Sequence, residues 1–280
     1  MKVISLGLGV QSTALYFMSS LGELPRCDYA VFADPGREKS ETMAYLKFIL
    51  DWQKKNNGIP IKVIDDKNLF KDLLNQTNST NNRFAPIPAF TKDATGKAGM
   101  LRRQCTNEYK IAQVDKVIKQ IYGLPKYGRF PKTEIWIGIT LDEMSRMTIP
   151  YNQKWKILVY PFCGYTVDFT GKAVKFEDSL FIKTRNDLMN YYREHNLPLP
   201  SKSSCIFCPF QSDANWLELK RNHPEDFKDA VKIDYAVRDS SKKGIKQPIY
   251  LHNSCKPLDK VVFDESQMQL WGDCGPYCRT

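Results

Sequence analysis

Three stretches of the chain combine residue types and spacings that can do chemistry. Near the start, Ser5, Gly7, Gly9, Gln11, Ser12 and Thr13 follow one another around a short apolar run. Val3 to Leu6 read as a strand, Gly7 and Gly9 interrupt it, and Ser12-Thr13 open a helical run through Leu15, Phe17 and Met18. A strand–turn–helix junction of this kind aims unpaired backbone N–H groups and a helix dipole at one point, and its glycines let a phosphate approach. It is neither a Walker loop, which ends in Gly-Lys-Ser/Thr, nor G-x-G-x-x-G. Further on, Asp34-Pro35-Gly36-Arg37 place a carboxylate, a turn and a cation after a second apolar run; Asp34 either serves a ligand or caps the turn. Cys205 and Cys208 have the spacing that lets two thiolates reach one metal from a tight turn, with a redox dithiol as the other use of such a pair. Cys105 is the third candidate ligand, and Cys274 and Cys278 either supply the fourth or form a pair of their own.

The elements that must position these residues alternate in type. Tyr29 to Ala33 and Ile61 to Ile64 read as strands, and Ser40 to Lys55 as a helix burying Met43, Leu46, Phe48, Ile49, Leu50 and Trp52. Asn75 to Ala98 carries no apolar period and reads as a long loop. A helix over Asn107 to Tyr122, a buried strand over Glu134 to Ile139, a hairpin from Tyr165 to Phe176 and a helix over Thr184 to His195 capped by Thr184 follow. The alternation predicts an α/β fold, a Rossmann-like parallel sheet with helices on both faces, whose ligands bind beyond the carboxyl ends of the strands. Residues 1–200 are expected to form that domain, and residues 201–280 a small helical, cysteine-bearing, metal-binding region.

At 280 residues the chain can bury one sizeable core plus an appendage, and 42% hydrophobic with 26% charged residues is ordinary for a globular protein. Its apolar runs are too short to cross a bilayer and no signal-peptide pattern precedes the first glycines, which predicts a cytoplasmic location without a membrane partner. The net charge of +10 suits a polyanionic partner or a generally basic surface. Cys27, Cys163 and Cys255 stand alone and read as small buried hydrophobes. His195, His223 and His252 share no catalytic spacing; His195 reads as a helix-end cation, the others as surface or loop residues. Trp216 and Trp271 read as core rather than as a nucleic-acid platform.

Taken in order, the motifs resemble the PP-loop ATP pyrophosphatases of the adenine nucleotide alpha hydrolase superfamily, and in particular their PAPS reductase-like branch. Residues 5–13 are similar to Ser-Gly-Gly-x-Asp-Ser-Thr/Ser, with Gly7 at a serine, Leu8 at a glycine and Gln11 at the aspartate. Asp34, Gly36, Glu41 and Thr42 match Asp-Thr-Gly-x-x-x-Pro-Glu-Thr, while Pro35 and Ser40 depart from it. Arg103 to Ile111, with Cys105, resemble a cysteine segment of the branch. Gly138 to Arg146 resemble Gly-Ile-Arg-x-x-Glu-Ser-x-x-Arg, with Thr140 in place of the first arginine. Thr184 to Leu188, Leu197-Pro198 and Cys205-Ile206-Phe207-Cys208 complete the order, so the resemblance extends from residue 3 to about residue 210.

The resemblance implies an enzyme that binds ATP or another adenine nucleotide with Mg²⁺ through Ser5, Gly7, Gly9, Gln11, Ser12, Thr13, Asp34 and Gly138. Asp34, Arg37, Glu143 and Arg146 are then the catalytic candidates. It implies a 4Fe-4S cluster on Cys105, Cys205, Cys208 and Cys274, with structural zinc as the alternative. The implied reaction is ATP-dependent adenylation with release of pyrophosphate and sulfur transfer to a tRNA or DNA acceptor, sulfur coming from a donor protein. Two other readings stay open: a PAPS or APS reductase, and a nonenzymatic nucleic-acid-binding accessory protein with a zinc knuckle. The oligomeric state is left open.

Overall fold

The computed structural model describes residues 1–84, 87–125, 128–175, 181–240 and 244–264. The chain divides into two compact units that interleave in sequence. The first takes Met1–Ala33, Glu41–Ile64 and Gln113–Ser203; the second takes Asp34–Ser40, Asp65–Ala112 and the chain from Ser204 onward. The sequence suggested one division near residue 200. In the structure the second unit also draws on two earlier segments.

The first unit is an α/β layer structure built on a seven-stranded sheet. Its strands are β1 (Lys2–Ser5), β2 (Tyr29–Ala33), β3 (Ile61–Ile64), β6 (Thr133–Trp136), β7 (Lys156–Tyr160), β8 (Tyr165–Asp168) and β9 (Ala173–Lys175), in the spatial order β3-β2-β1-β6-β7-β8-β9. The first five run parallel, and β8 and β9 add antiparallel to the edge beyond β7. Alternate residues of each central strand enter different cores. Ile4, Ala30, Phe32, Trp136 and Val159 pack with helices α1 (Val10–Leu21), α2 (Ser40–Lys55) and α5 (Arg185–Glu194). Val3, Val31, Ile135, Leu158 and Tyr160 pack instead with α4 (Ala112–Ile121). A strand buried on both faces has to be apolar throughout, which is why β1 and β2 were readable.

The buried stripe of α2 runs through Thr42, Leu46 and Ile49. Phe48, Leu50 and Trp52 pack beside it, whereas Met43, expected in the core, is 37% exposed because it lies round the helix from that stripe.

The second unit holds α3 (Leu69–Leu74), α6 (Asp213–Asn222), α7 (Pro224–Val237) and a three-stranded antiparallel sheet in the order β10-β4-β5, with β4 at Phe90–Lys92, β5 at Ala98–Met100 and β10 at Ile249–Tyr250. The long loop expected over 75–98 is therefore interrupted by a strand. Asp93 makes the hairpin: its carboxylate accepts the backbone N–H of Thr95 and Lys97, and Gly96 takes φ +88°. Phe90 on β4 is buried in this unit, and Ile206, Phe207, Trp216, Ala230 and Ile233 lie in its core.

Candidate functional site

In the first unit the chain runs outward from β1 to β2 and β3, then returns to β6 on the other side of β1. The carboxyl ends of β1 and β6 thus lie side by side where the strand order reverses, the position at which open α/β sheets form a ligand crevice. Two glycine-bearing loops meet there. After β1, Leu8 adopts a left-handed conformation, φ +59°, while its side chain is almost fully buried. Left-handed backbone costs a leucine about 1–2 kcal/mol, which the burial of its side chain offsets.

Gly9 caps α1 without any side-chain hydrogen bond, and the first turn of the helix carries no acidic residue. Ser12 ties the loop together, its Oγ accepting from the Gly7 N–H at 3.1 Å and its hydroxyl donating to the Gly9 carbonyl at 3.4 Å. A Cβ on Gly9 would meet nothing within 4 Å.

The loop after β6 presses against this turn. A Cβ on Gly138 would stand 2.7 Å from the carbonyl carbon and oxygen of Gln11 and from the nitrogen of Ser12. Only glycine permits that approach of one backbone to another. Two residues on, buried Thr140 accepts at Oγ1 a hydrogen bond of 2.8 Å from Gln11 Nε2. The following turn, Leu141–Arg146, is fastened to the start of α5: the Leu141 N–H donates to the Lys183 carbonyl and the Arg185 N–H to the Asp142 carboxylate, both at 3.0 Å. Glu143 and Arg146 form an ion pair with each other. Ser5 is half-buried at the end of β1, and Thr13 is fully buried in α1, so its hydroxyl faces the core rather than the crevice.

The second unit holds the cysteines. Cys205 to Cys208 form a tight turn in which the Cys208 N–H donates to the Cys205 carbonyl at 3.1 Å. The neighbouring segment is laid along it: Ile206 N–H donates to the Arg37 carbonyl and Lys39 N–H to the Ser204 carbonyl. Cys105 begins a helical run whose first part, Asn107–Ile111, is a wide π turn leading into α4. That turn carries Lys110, whose Nζ pairs with Glu38 Oε1 at 2.6 Å, and the same oxygen lies 3.9 Å from Cys205 Sγ. Burial pushes the Cys205 thiol well up, with the Glu38 carboxylate adding to it. Burial works against the Lys110 ammonium, yet Glu38 and the sulfurs of Cys205 and Cys208 outweigh it and raise its pKa.

Cys105, Cys205 and Cys208 all belong to the second unit, and Cys208 and Cys105 lie near enough to Cys205 to add to the rise of its thiol pKa. Thiolates on one tetrahedral zinc would stand about 3.8 Å apart, given Zn–S bonds of about 2.3 Å. Those of a 4Fe-4S cluster bind separate irons and stand farther apart. The fourth candidate, Cys274, lies outside the described residues, as do Cys278 and Trp271.

Asp34 caps its own turn, Oδ1 accepting the Gly36 N–H at 2.7 Å, and burial raises its pKa. Gly36 is required twice over, by φ +100° and by Asn68, whose Cγ would lie 2.5 Å from an added Cβ. Arg37, expected as a catalytic cation, is held by Asp229 and by Asp226 of α7, the latter at 3.6 Å. The pairing of Lys110 with Glu38 was invisible in the sequence, since 72 residues separate the partners.

Cys27 and Cys163 are buried as expected, whereas Cys255 is only half-buried, with φ +50°. His195 caps the end of α5 against Tyr191 and Glu23. His252 lies in a loop as expected, but buried rather than at the surface, with Asp213 and Ser254 as partners of its two ring nitrogens. Trp216 is core.

In comparisons with known proteins, no family model matches the chain and no curated protein matches it significantly.

Proposed function

We propose that the first unit is a Rossmann-like, adenine nucleotide alpha hydrolase-type domain that binds ATP, and that the protein is a PP-loop ATP pyrophosphatase transferring sulfur to a nucleic-acid acceptor. The observation that carries the reading is the convergence, at the reversal of strand order, of an uncapped helix N-terminus, an open Gly9 and the backbone approach at Gly138. In this reading an acceptor oxygen attacks the α-phosphorus of ATP, the bond from that phosphorus to the β-phosphate oxygen breaks, and pyrophosphate leaves. A sulfur nucleophile then displaces AMP. The backbone N–H groups from Leu8 to Ser12 hold the departing pyrophosphate, whose charge grows in the transition state and which Mg²⁺ would help neutralise.

Cys105, Cys205 and Cys208 would hold the 4Fe-4S cluster; their gathering in the second unit, with Cys105 and Cys208 both near enough to act on the Cys205 thiol, supports a shared metal group, with zinc as the alternative. When bound, such a cluster supplies iron sites that accept sulfur. Lys110 places a cation beside these thiolates, and Glu38 orients it.

The test is isothermal titration of ATP together with pyrophosphate and AMP release in the presence of nucleic acid, for the wild type and Gly9→Ala. ATP binding with equal release of pyrophosphate and AMP, weakened in Gly9→Ala, bears the reading out. Sulfite release from a sulfonucleotide without pyrophosphate would replace it with the reductase reading. Absence of nucleotide binding would leave the accessory nucleic-acid-binding reading.

A further inference from the structure

The amino-terminal end of the first unit's sheet, opposite the crevice, carries a surface of different character. We propose that the amino-terminal ends of β6 and β7, with the β8–β9 turn, form a docking surface for a single-stranded stretch of nucleic acid. The strand register brings them together: Thr133 pairs with Lys156, and Ile157 with Asp168. Just before these pairs, Phe130 and Trp155 stack with ring centroids 4.3 Å apart and planes 14° apart. Both rings are half-buried, anchored on the core below and open at the surface. Phe169, in the β8–β9 turn, is a third half-buried ring.

Mobile cations accompany Phe130 and Phe169, while the Lys156 ammonium over Trp155, 5.1 Å from its centre, is held by Asp115. Lys119 Nζ lies 5.7 Å from the centre of Phe130 and Lys154 Nζ 5.9 Å from that of Phe169, while Arg129, Lys132 and Lys154 are exposed. The acids nearby are already engaged. Asp115 is paired with Lys156, and the Asp168 carboxylate, held ionised by the N–H and hydroxyl of Thr170, lies near Lys132, leaving the surface cationic through Lys119, Arg129 and Lys154.

A patch of flat rings flanked by flexible cations has the chemistry of a single-strand platform. Bases take the ring faces, and the ammonium groups that rested there move to the phosphates. A folded acidic protein would answer the charge but not the rings, and a duplex would answer the charge while keeping its bases stacked away from them. The net charge of +10 matches a polyanionic occupant. This inference touches only the acceptor in the proposed function and depends on no nucleotide chemistry.

The test uses the full chain and a fluorescein-labelled single-stranded oligonucleotide of about 15 nucleotides, read by anisotropy across a salt series. The double variant Lys132→Glu/Lys154→Glu, at two exposed positions, should bind roughly tenfold more weakly at moderate salt, with the log–log salt slope reduced by about 1.4. Phe169→Ala should weaken binding to the normal oligonucleotide but not to an abasic one of the same length. ATP titration on the same variants separates this from the nucleotide site: unchanged ATP binding with lost oligonucleotide binding supports the surface. Unaltered oligonucleotide binding in the double variant, equal binding of abasic and normal strands by the wild type, or a preference for anionic vesicles overturns it.

Discussion

Gln11 and Thr140 stand 129 residues apart in the chain and are joined by a hydrogen bond of 2.8 Å across the reversal of strand order. They are the two positions at which the motifs depart from a charged residue, Gln11 from an aspartate and Thr140 from an arginine, and the departures meet each other. A neutral donor and acceptor here keep the two loops joined without placing net charge at the N-terminus of α1. Thr140→Val leaves the half-buried amide of Gln11 short of a partner and should cost about 1 kcal/mol. Gln11→Ala with Thr140→Val should cost less than the sum of the two single changes. Urea unfolding of the double-mutant cycle measures this; strict additivity would show that the contact contributes nothing.

The two glycines of the same crevice should behave oppositely. Gly138→Ala drives a methyl to 2.7 Å from the backbone of Gln11 and Ser12, and backbone has little room to yield. It should lose about 1–3 kcal/mol of stability. Gly9→Ala meets open space at φ −91° and should cost under about 1 kcal/mol, the difference between glycine and alanine as a cap. Thermal melts decide the first comparison. Nucleotide titration of the stable Gly9→Ala protein then decides whether that open space is used.

The sequence showed many elements on which burial imposed a pattern, though it missed the buried strand β7, Lys156–Tyr160, and it failed where contacts were distant. Tyr29–Ala33, Ile61–Ile64 and Ser40–Lys55 end where their apolar patterns end, because each must cover a core face along its whole length. Phe90–Lys92 was missed, since a three-residue strand with one buried side chain leaves no period to read. The glycine turn after β1 and the Cys205–Cys208 pair were legible as local spacings. The partners of Gln11, Lys110 and Arg37 were not, since each lies 72 or more residues away and follows from topology alone.

Arg37 illustrates the cost of that blindness. Its guanidinium is committed to Asp229 and Asp226, and Asp226 also accepts the backbone N–H and hydroxyl of Ser40, each at 2.9 Å. Arg37→Met removes the cation from a nearly buried Asp226 and should destabilise the protein by about 1.5–3 kcal/mol. Pyrophosphate release per folded molecule should stay within about threefold of wild type, a shift of under about 0.7 kcal/mol in the barrier. A loss of turnover of a hundredfold or more in a stably folded variant would restore Arg37 to the chemistry.

Alkaline unfolding should report the buried thiols and phenol. Burial pushes Cys27 from 9.0 to about 12, Cys163 from 9.0 to about 11 and Tyr16 from 10.0 to about 12. In each case the neutral form is favoured more in the folded chain than in the unfolded one. Stability from these groups is therefore complete below about pH 9 and is lost as pH rises through 11 and 12, where the unfolded chain has already released the protons. Urea midpoints between about pH 8 and 11 should fall less steeply for Cys27→Ala and Cys163→Ala than for the wild type. Parallel slopes would mean that the two thiols titrate alike in both states.

The cysteines of the second unit give the most direct reading of cofactor chemistry. Protein purified without oxygen should carry about four irons and four sulfides per chain and absorb broadly near 400 nm. Cys105→Ala and Cys208→Ala should each lose that absorption, because removing one of three protein thiolates opens the cluster to solvent. Lys110→Met tests the neighbouring cation by a separate signature: with the iron retained, it should lower the cluster's reduction potential, since removing a positive charge beside the thiolates favours the oxidised form. Zinc at about one per chain without iron would remove the sulfur-carrying role and leave the turn at Cys205–Cys208 as a structural knuckle. X-ray absorption at the zinc edge would then show short Zn–S bonds of about 2.3 Å.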